Sequence, residues 1–167
     1  MGMKVFKFGG ASVKNAEAVK NVAGILQQFS EEQLFVVVSA MGKTTNAMEN
    51  IVSALYDGDK GVFRELVEER RAFHVRIMKE LFEDQNHSVY TDVHGIFDEL
   101  IQKEEDPLAP NYDFQYDQIV AYGEVISTKI IAAFLQLTRD DVIWGDSRTF
   151  IRTNHDYRAA EGDWEKT

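Results

Sequence analysis

Two short apolar runs, KVFKF at residues 4–8 and LFVVVSA at 34–40, flank a stretch in which Ala18, Val19, Val22, Ala23, Ile25, Leu26 and Phe29 recur at helical spacing. Runs this densely apolar read as strands covered on both faces, which is the habit of parallel sheets. Parallel neighbours need a crossover, and the amphipathic stretch between them supplies it as a helix, giving a right-handed βαβ unit. A third run, DVIWGD at 141–146, is expected to join the same sheet. From Ala47 to Leu137 the helical pattern dominates, through Ile51, Val52 and Leu55, then 66–82, 93–101 and 118–137. That region reads as a helical insertion between the second and third strands. The only prolines, Pro107 and Pro110, mark its one clear loop.

Composition narrows the function classes. A chain of 167 residues, 44% of them hydrophobic, has the material for one core. Its net charge of −10 repels polyanions, which argues against nucleic acid or an anionic membrane as partner and requires any phosphate site to be local. The chain has no cysteine, hence no disulfide framework and no thiolate metal site. No uninterrupted apolar run approaches the roughly 20 residues of a membrane span, and the opening MGMK lacks the apolar core of a signal peptide, so cytoplasm is the expected location. The leading Met-Gly reads as a remnant ahead of a start at Met3. Histidines 74, 87, 94 and 155 have no zinc-ligand spacing and are expected on the surface or on helices, with no metal site.

Three motifs carry chemistry. In KFGGASV the adjacent Gly9 and Gly10 let backbone approach an anion, and the helix expected from about Asn15 points its free amides back at them. Strand alternation with Phe6 and Phe8 inward aims Lys7 toward a ligand. A tight turn with an exposed lysine explains the same letters. The second strand ends in SAMGKTTN, a small-residue turn before a helix at the same end of the sheet, where Ser39, Gly42, Thr44, Thr45 and Asn46 offer hydroxyls and amides. GKT at 42–44 is not a P-loop, because Val37 stands where that motif needs glycine. Helix capping by Thr45 or Asn46 is the plainer reading. In AYGEVISTKIIAAF, Glu124 has Val120, Ser127 and Ile131 as helical neighbours, so a carboxylate faces apolar surroundings and needs a partner, either a ligand cation or a core lysine or arginine. Gly123 in a helix suggests a close approach at that point.

KFGGASV, VVVSAMGKTTN, YGEVISTKIIAAFL and WGDSRTFIRTN, in this order over nearly the whole chain, resemble the first half of an aspartate kinase of the amino-acid kinase family. The resemblance implies an α/β fold, a parallel-sheet three-layer sandwich of which residues 1–167 form the N-terminal part, with amino-acid and phosphate sites and an inserted helical region. It implies transfer of the ATP γ-phosphoryl group, with Mg2+, to the side-chain carboxylate of L-aspartate, in lysine, threonine and methionine synthesis. Lys7 would lie against the transferring phosphates as the catalytic lysine, Phe8, Gly9, Gly10 and Ser12 would complete the nucleotide side, and Ser39, Thr45 and Glu124 would hold the amino acid.

Ala11 departs from the family, which usually has threonine there. The family's adenine-binding strands, α-carboxylate clamp and regulatory domains are expected to lie outside these residues, leaving the isolated chain inactive and, through its uncovered sheet edge, a homo-oligomer. Another small-molecule carboxylate or carbamate kinase of the same fold, or a non-catalytic α/β module, is the alternative.

Overall fold

The structure, a computed structural model, describes residues 2–109 and 111–167. Met1, and Pro110 of the expected loop, lie outside them. Strands β1 (Lys4–Phe8) and β2 (Leu34–Val38) pair in parallel with Phe6 opposite Val36, and helix α1 (Ala16–Gln27) crosses between them. Asn15 starts that helix by accepting the Ala18 N–H at 2.9 Å, and Val19, Val22 and Leu26 bury its inner face. This is the βαβ unit that the apolar spacing predicts.

The third strand does not form. Residues 141–146 run unpaired on the far side of a groove of about 630 Å³ that β2 also lines. Side chains hold the segment there: the Trp144 indole N–H donates to Thr128 Oγ1 at 3.0 Å, the Lys129 ammonium sits 4.1 Å from that ring, and Arg139 grips Asp141 with two hydrogen bonds. Ile143, in the middle of the run, is 91% exposed. The expectation of strands covered on both faces also needs correction. Phe6, Phe8, Leu34, Val36 and Val38 turn to the core, whereas Val5, Lys7, Phe35 and Val37 form an open face on which Val5 is 68% exposed. A densely apolar run supplies both faces of a strand but not the layer that covers the second one.

Five more helices follow: α2 (Thr44–Tyr56), α3 (Lys60–Leu81), α4 (Ser88–Gln102), α5 (Tyr112–Val120) and α6 (Tyr122–Gln136). Their contact faces, with Met48, Ile51, Phe63, Val67, Met78, Val93, Phe97, Ile126 and Ile130 fully enclosed, make the core. The helix expected over 118–137 is α6 together with the end of α5, the two separated by Ala121. Taken together α5 and α6 are long and apolar enough to cross a membrane, yet 61% of their most apolar window is buried in this core.

His74 lies on helix α3, as the sequence reading allows. It is fully buried, its ring between Phe73 and Phe97, with Nδ1 bonded to the Arg70 carbonyl at 2.9 Å and Nε2 without a partner among the described residues.

Candidate functional site

The two glycine turns meet at the C-terminal ends of β1 and β2. The Ser39 N–H donates to the Phe8 carbonyl and the Gly42 N–H to the Gly10 carbonyl, each at 3.0 Å, so the strand pairing continues into the loops. Gly10 is required by that approach: a Cβ there would stand 2.7 Å from the Ala40 oxygen and 2.9 Å from the Gly42 oxygen. Gly42 itself has φ +58°, a left-handed conformation that glycine adopts without strain. The glycines thus bring loop to loop, and their first role is packing. Residues Gly10–Val13 form one 3-10 turn rather than an open loop, with the Ser12 N–H bonded to the Gly9 carbonyl.

Lys7 projects from the open sheet face and bends back over this turn, its ammonium 3.5 Å from where a Cβ on Gly9 would stand. The lysine ion pairs among the described residues involve Lys4, Lys60, Lys103, Lys129 and Lys166. Lys7, Lys14 and Lys43, all on or beside the two loops, are therefore uncompensated in a chain of net charge −10. The helix α2 starts here too. Its N-cap residue is Lys43, with no side-chain cap, so neither Thr45 nor Asn46 caps it. Among the described residues the amides of Thr45 and Asn46 have no backbone acceptor. Uncapped amides and unpaired lysines at one helix start favour an anion.

Glu124 lies in the first turn of α6, behind Ala40. Burial pushes its carboxyl above the usual range, and backbone groups of Glu124 itself and Ala40 pull it back only in part. It has no cationic partner among the described residues, so the core lysine or arginine that its surroundings could have held is not there. Gly123 shows the close approach its position suggests: a Cβ would come within 3.2 Å of Thr44 Cγ2 and 3.3 Å of Ala40 Cβ, so α6 rests directly on the start of α2. The buried Ser127 hydroxyl donates to the Ser39 carbonyl at 2.8 Å and ties the same helix to the end of β2. Ala40 is where the halves join, touching Gly10 through its oxygen and Glu124 through its backbone.

The profile of the amino acid kinase family matches residues 2–163. The chain belongs to the amino acid kinase family. Within it the chain is 34% identical over 141 residues to chloroplastic aspartokinase 1 of Arabidopsis thaliana, covering 78% of this chain and 23% of that one. It is 27% identical over 161 residues to the bifunctional aspartokinase/homoserine dehydrogenase 2 of Escherichia coli, covering 96% and 19%. In three dimensions it is similar to E. coli aspartokinase III solved with aspartate and ADP, at a TM-score of 0.83 and 26% identity, over 97% of this chain and 35% of that one. The form of that enzyme with lysine and aspartate gives 0.80. The chain therefore spans about a third or less of these amino acid kinase relatives. The α/β fold expected of the family is the fold found.

Within this family member the sequence-predicted residues fall into two groups. Lys7 reaches from β1 to the turn that holds Gly9, Gly10 and Ser12, while Ser39 precedes Ala40, Glu124 meets the Ala40 backbone, and Thr45 follows Thr44 in the first turn of α2, where Gly123 rests. Phe8 turns its ring to the core, stacked 6.2 Å from Phe6, and offers only backbone to the loops. The 630 Å³ groove lies elsewhere, along β2, and none of these residues except the neighbouring Val38 side of the strand borders it. Sequence reasoning gave Ala40 no role and used Ser127 only as a helical neighbour of Glu124, although both letters lie inside the quoted motifs SAMGKTTN and AYGEVISTKIIAAF. Among the described residues no group of three or more His, Cys, Asp or Glu could hold a metal ion.

Proposed function

We propose that this chain forms the amino-acid and phosphate side of an aspartate kinase. The observation that carries the reading is Glu124: a half-buried carboxylate without a cationic partner, one residue from the Gly123 contact with α2 and in touch with Ala40. An amino acid's ammonium is a partner of the right charge and size for it. Lys7 and the backbone around Gly9 and Gly10, with the Ser12 hydroxyl beside them, suit the phosphates, and Thr45 and Ser39 would complete the amino-acid side. Aspartate's side-chain carboxylate is already nucleophilic, so this chain needs to position it and to stabilise charge on the phosphoryl oxygens, which is the part Lys7 takes. ATP supplies the phosphoryl group when bound. Mg2+ would travel with its phosphates, since the protein side offers lysines and amides and no carboxylate cluster.

The similar structure contains aspartate and ADP, which supports the choice of substrates. The adenine half and the α-carboxylate clamp belong, in this reading, to residues beyond these 167. Cytoplasm is the location that goes with this reading, and the open sheet face favours self-association. Hydroxylamine trapping of the acyl phosphate tests the reading. The complete natural protein should yield hydroxamate from aspartate, and the 167-residue chain alone none above background. Turnover of another carboxylate or of carbamate, with aspartate inert, would assign the same fold to a different acceptor.

A further inference from the structure

The C-terminal segment closes on itself and then on α5. Thr153 pairs with Gly162, the Asn154 N–H donates to the Glu161 carbonyl at 3.1 Å, and the Asn154 side chain accepts from Asp156 and Glu161 amides. This braced loop carries Tyr157 and Arg158 at its far end. Arg158 has φ +66°, the one non-glycine among the described residues in the left-handed region. Such a conformation persists where contacts over-determine it.

The contacts are four. Tyr157 meets the Phe114 ring edge-on at 5.1 Å, the Arg158 N–H donates to Asp117 Oδ2 at 3.2 Å, its guanidinium donates to Asp113 Oδ1 at 3.2 Å, and the guanidinium carbon lies 4.4 Å above the Tyr116 ring. All four partners are on α5. Tyr116 in turn donates its hydroxyl to Glu49 Oε1 at 2.5 Å. Glu49 is one helical turn after Thr45 on the same face of α2. Helix α2 packs along its length on α3, meets α6 where Gly123 rests on Thr44, and meets α5 through Tyr116 on Glu49 and the Tyr56 ring on Tyr112.

We propose that Arg158 is a positioning residue for the amino-acid site: by holding Tyr116 on Glu49 it fixes the first turns of α2 and so the placement of Thr45, one turn before Glu49 on the same face. The role as a substrate site rests on the proposed function, whereas the clamp itself does not. Arg158 touches no part of the Lys7 and Gly9 turn, so its influence is confined to the amino-acid side.

Hydrogen exchange on the chain, read with kinetics of the complete natural protein, tests this. Arg158→Gly keeps the left-handed backbone without strain and removes only the side chain, so folding is not at risk. It should speed exchange of the amides at residues 47–50 and 116–120 by about tenfold while α3 is unchanged, and Arg158→Lys, which keeps a cation over the ring, should restore most of the protection. Tyr116→Phe should reproduce the loss. In the complete protein Arg158→Gly should raise the aspartate KM roughly fivefold, with ATP KM and kcat nearly unmoved. Exchange at 47–50 within about twofold of the unaltered chain would overturn the clamp. An equal change in kcat would overturn its confinement to the amino-acid side. If the unaltered protein does not use aspartate, the proposed function fails, and the exchange comparison still decides the clamp.

Discussion

The carbonyl oxygen of Ala40 stands 2.7 Å from the point that a Cβ on Gly10 would occupy, closer than real Cβ atoms come to backbone. Two loops touch there without room for a methyl group, and a second carbonyl, that of Gly42, closes the other side at 2.9 Å. Gly10→Ala therefore has to separate the loops. We expect a loss of about 1–3 kcal/mol in stability, read from urea unfolding. A variant as stable as the parent chain would show that the loops part freely.

Lys7→Ala should act oppositely, on rate and not on stability. The side chain is exposed and makes no ion pair, so unfolding should change by less than about 0.5 kcal/mol. In the complete protein kcat should fall by about 10²-fold, because charge on the transferring phosphoryl group loses its stabiliser. An effect limited to aspartate KM would remove Lys7 from that role.

Glu124→Gln should weaken aspartate binding by about 1.5–3 kcal/mol, the size of a charge-assisted hydrogen bond, with ATP binding little changed. The pH dependence has a definite sign. The ammonium needs the carboxylate, burial raises the Glu124 pKa, and aspartate affinity should begin to fall at a pH above the ordinary carboxylate range as the solution is acidified. Titration calorimetry across that range checks it, and an affinity flat with pH would detach Glu124 from the ammonium.

His74 makes the fold acid-sensitive. Burial lowers its pKa to about 4, against about 6.5 in the unfolded chain. Between these values the unfolded state binds the proton and the folded state does not, so stability is full above pH 6.5 and falls as pH drops toward 4, by about 3 kcal/mol in all. His74→Phe keeps a ring between Phe73 and Phe97 and should flatten that part of the stability profile. The same slope in both proteins would place the acid sensitivity elsewhere.

The open face of the sheet predicts self-association. Val5, Phe35 and Val37 form one apolar patch, and among the described residues both sheet edges are unpaired beyond the β1–β2 ladder. Light scattering at tens of micromolar should give a mass well above the 19.1 kDa of one chain, and Phe35→Lys should lower it. A monomer before substitution would mean that this face tolerates water.

The sequence by itself determined what is local. Asn15 caps α1, Phe6 and Phe8 alternate with Lys7, two glycine turns end two parallel strands, and Glu124 sits in apolar company, each because neighbouring letters dictate backbone angles and side-chain faces. The resemblance carried by KFGG, TTN and YGE added the roles that spacing alone left open. Tertiary structure decided what depends on distant partners. Whether DVIWGD becomes a strand depends on an edge to pair with, and Trp144 found Thr128 and Lys129 on α6 instead. Whether His74 is wet or dry depends on Phe97 arriving from another helix. Whether Glu124 meets a lysine, and whether Arg158 reaches Tyr116, depends on how helices far apart in sequence are laid side by side, and no local pattern encodes that contact.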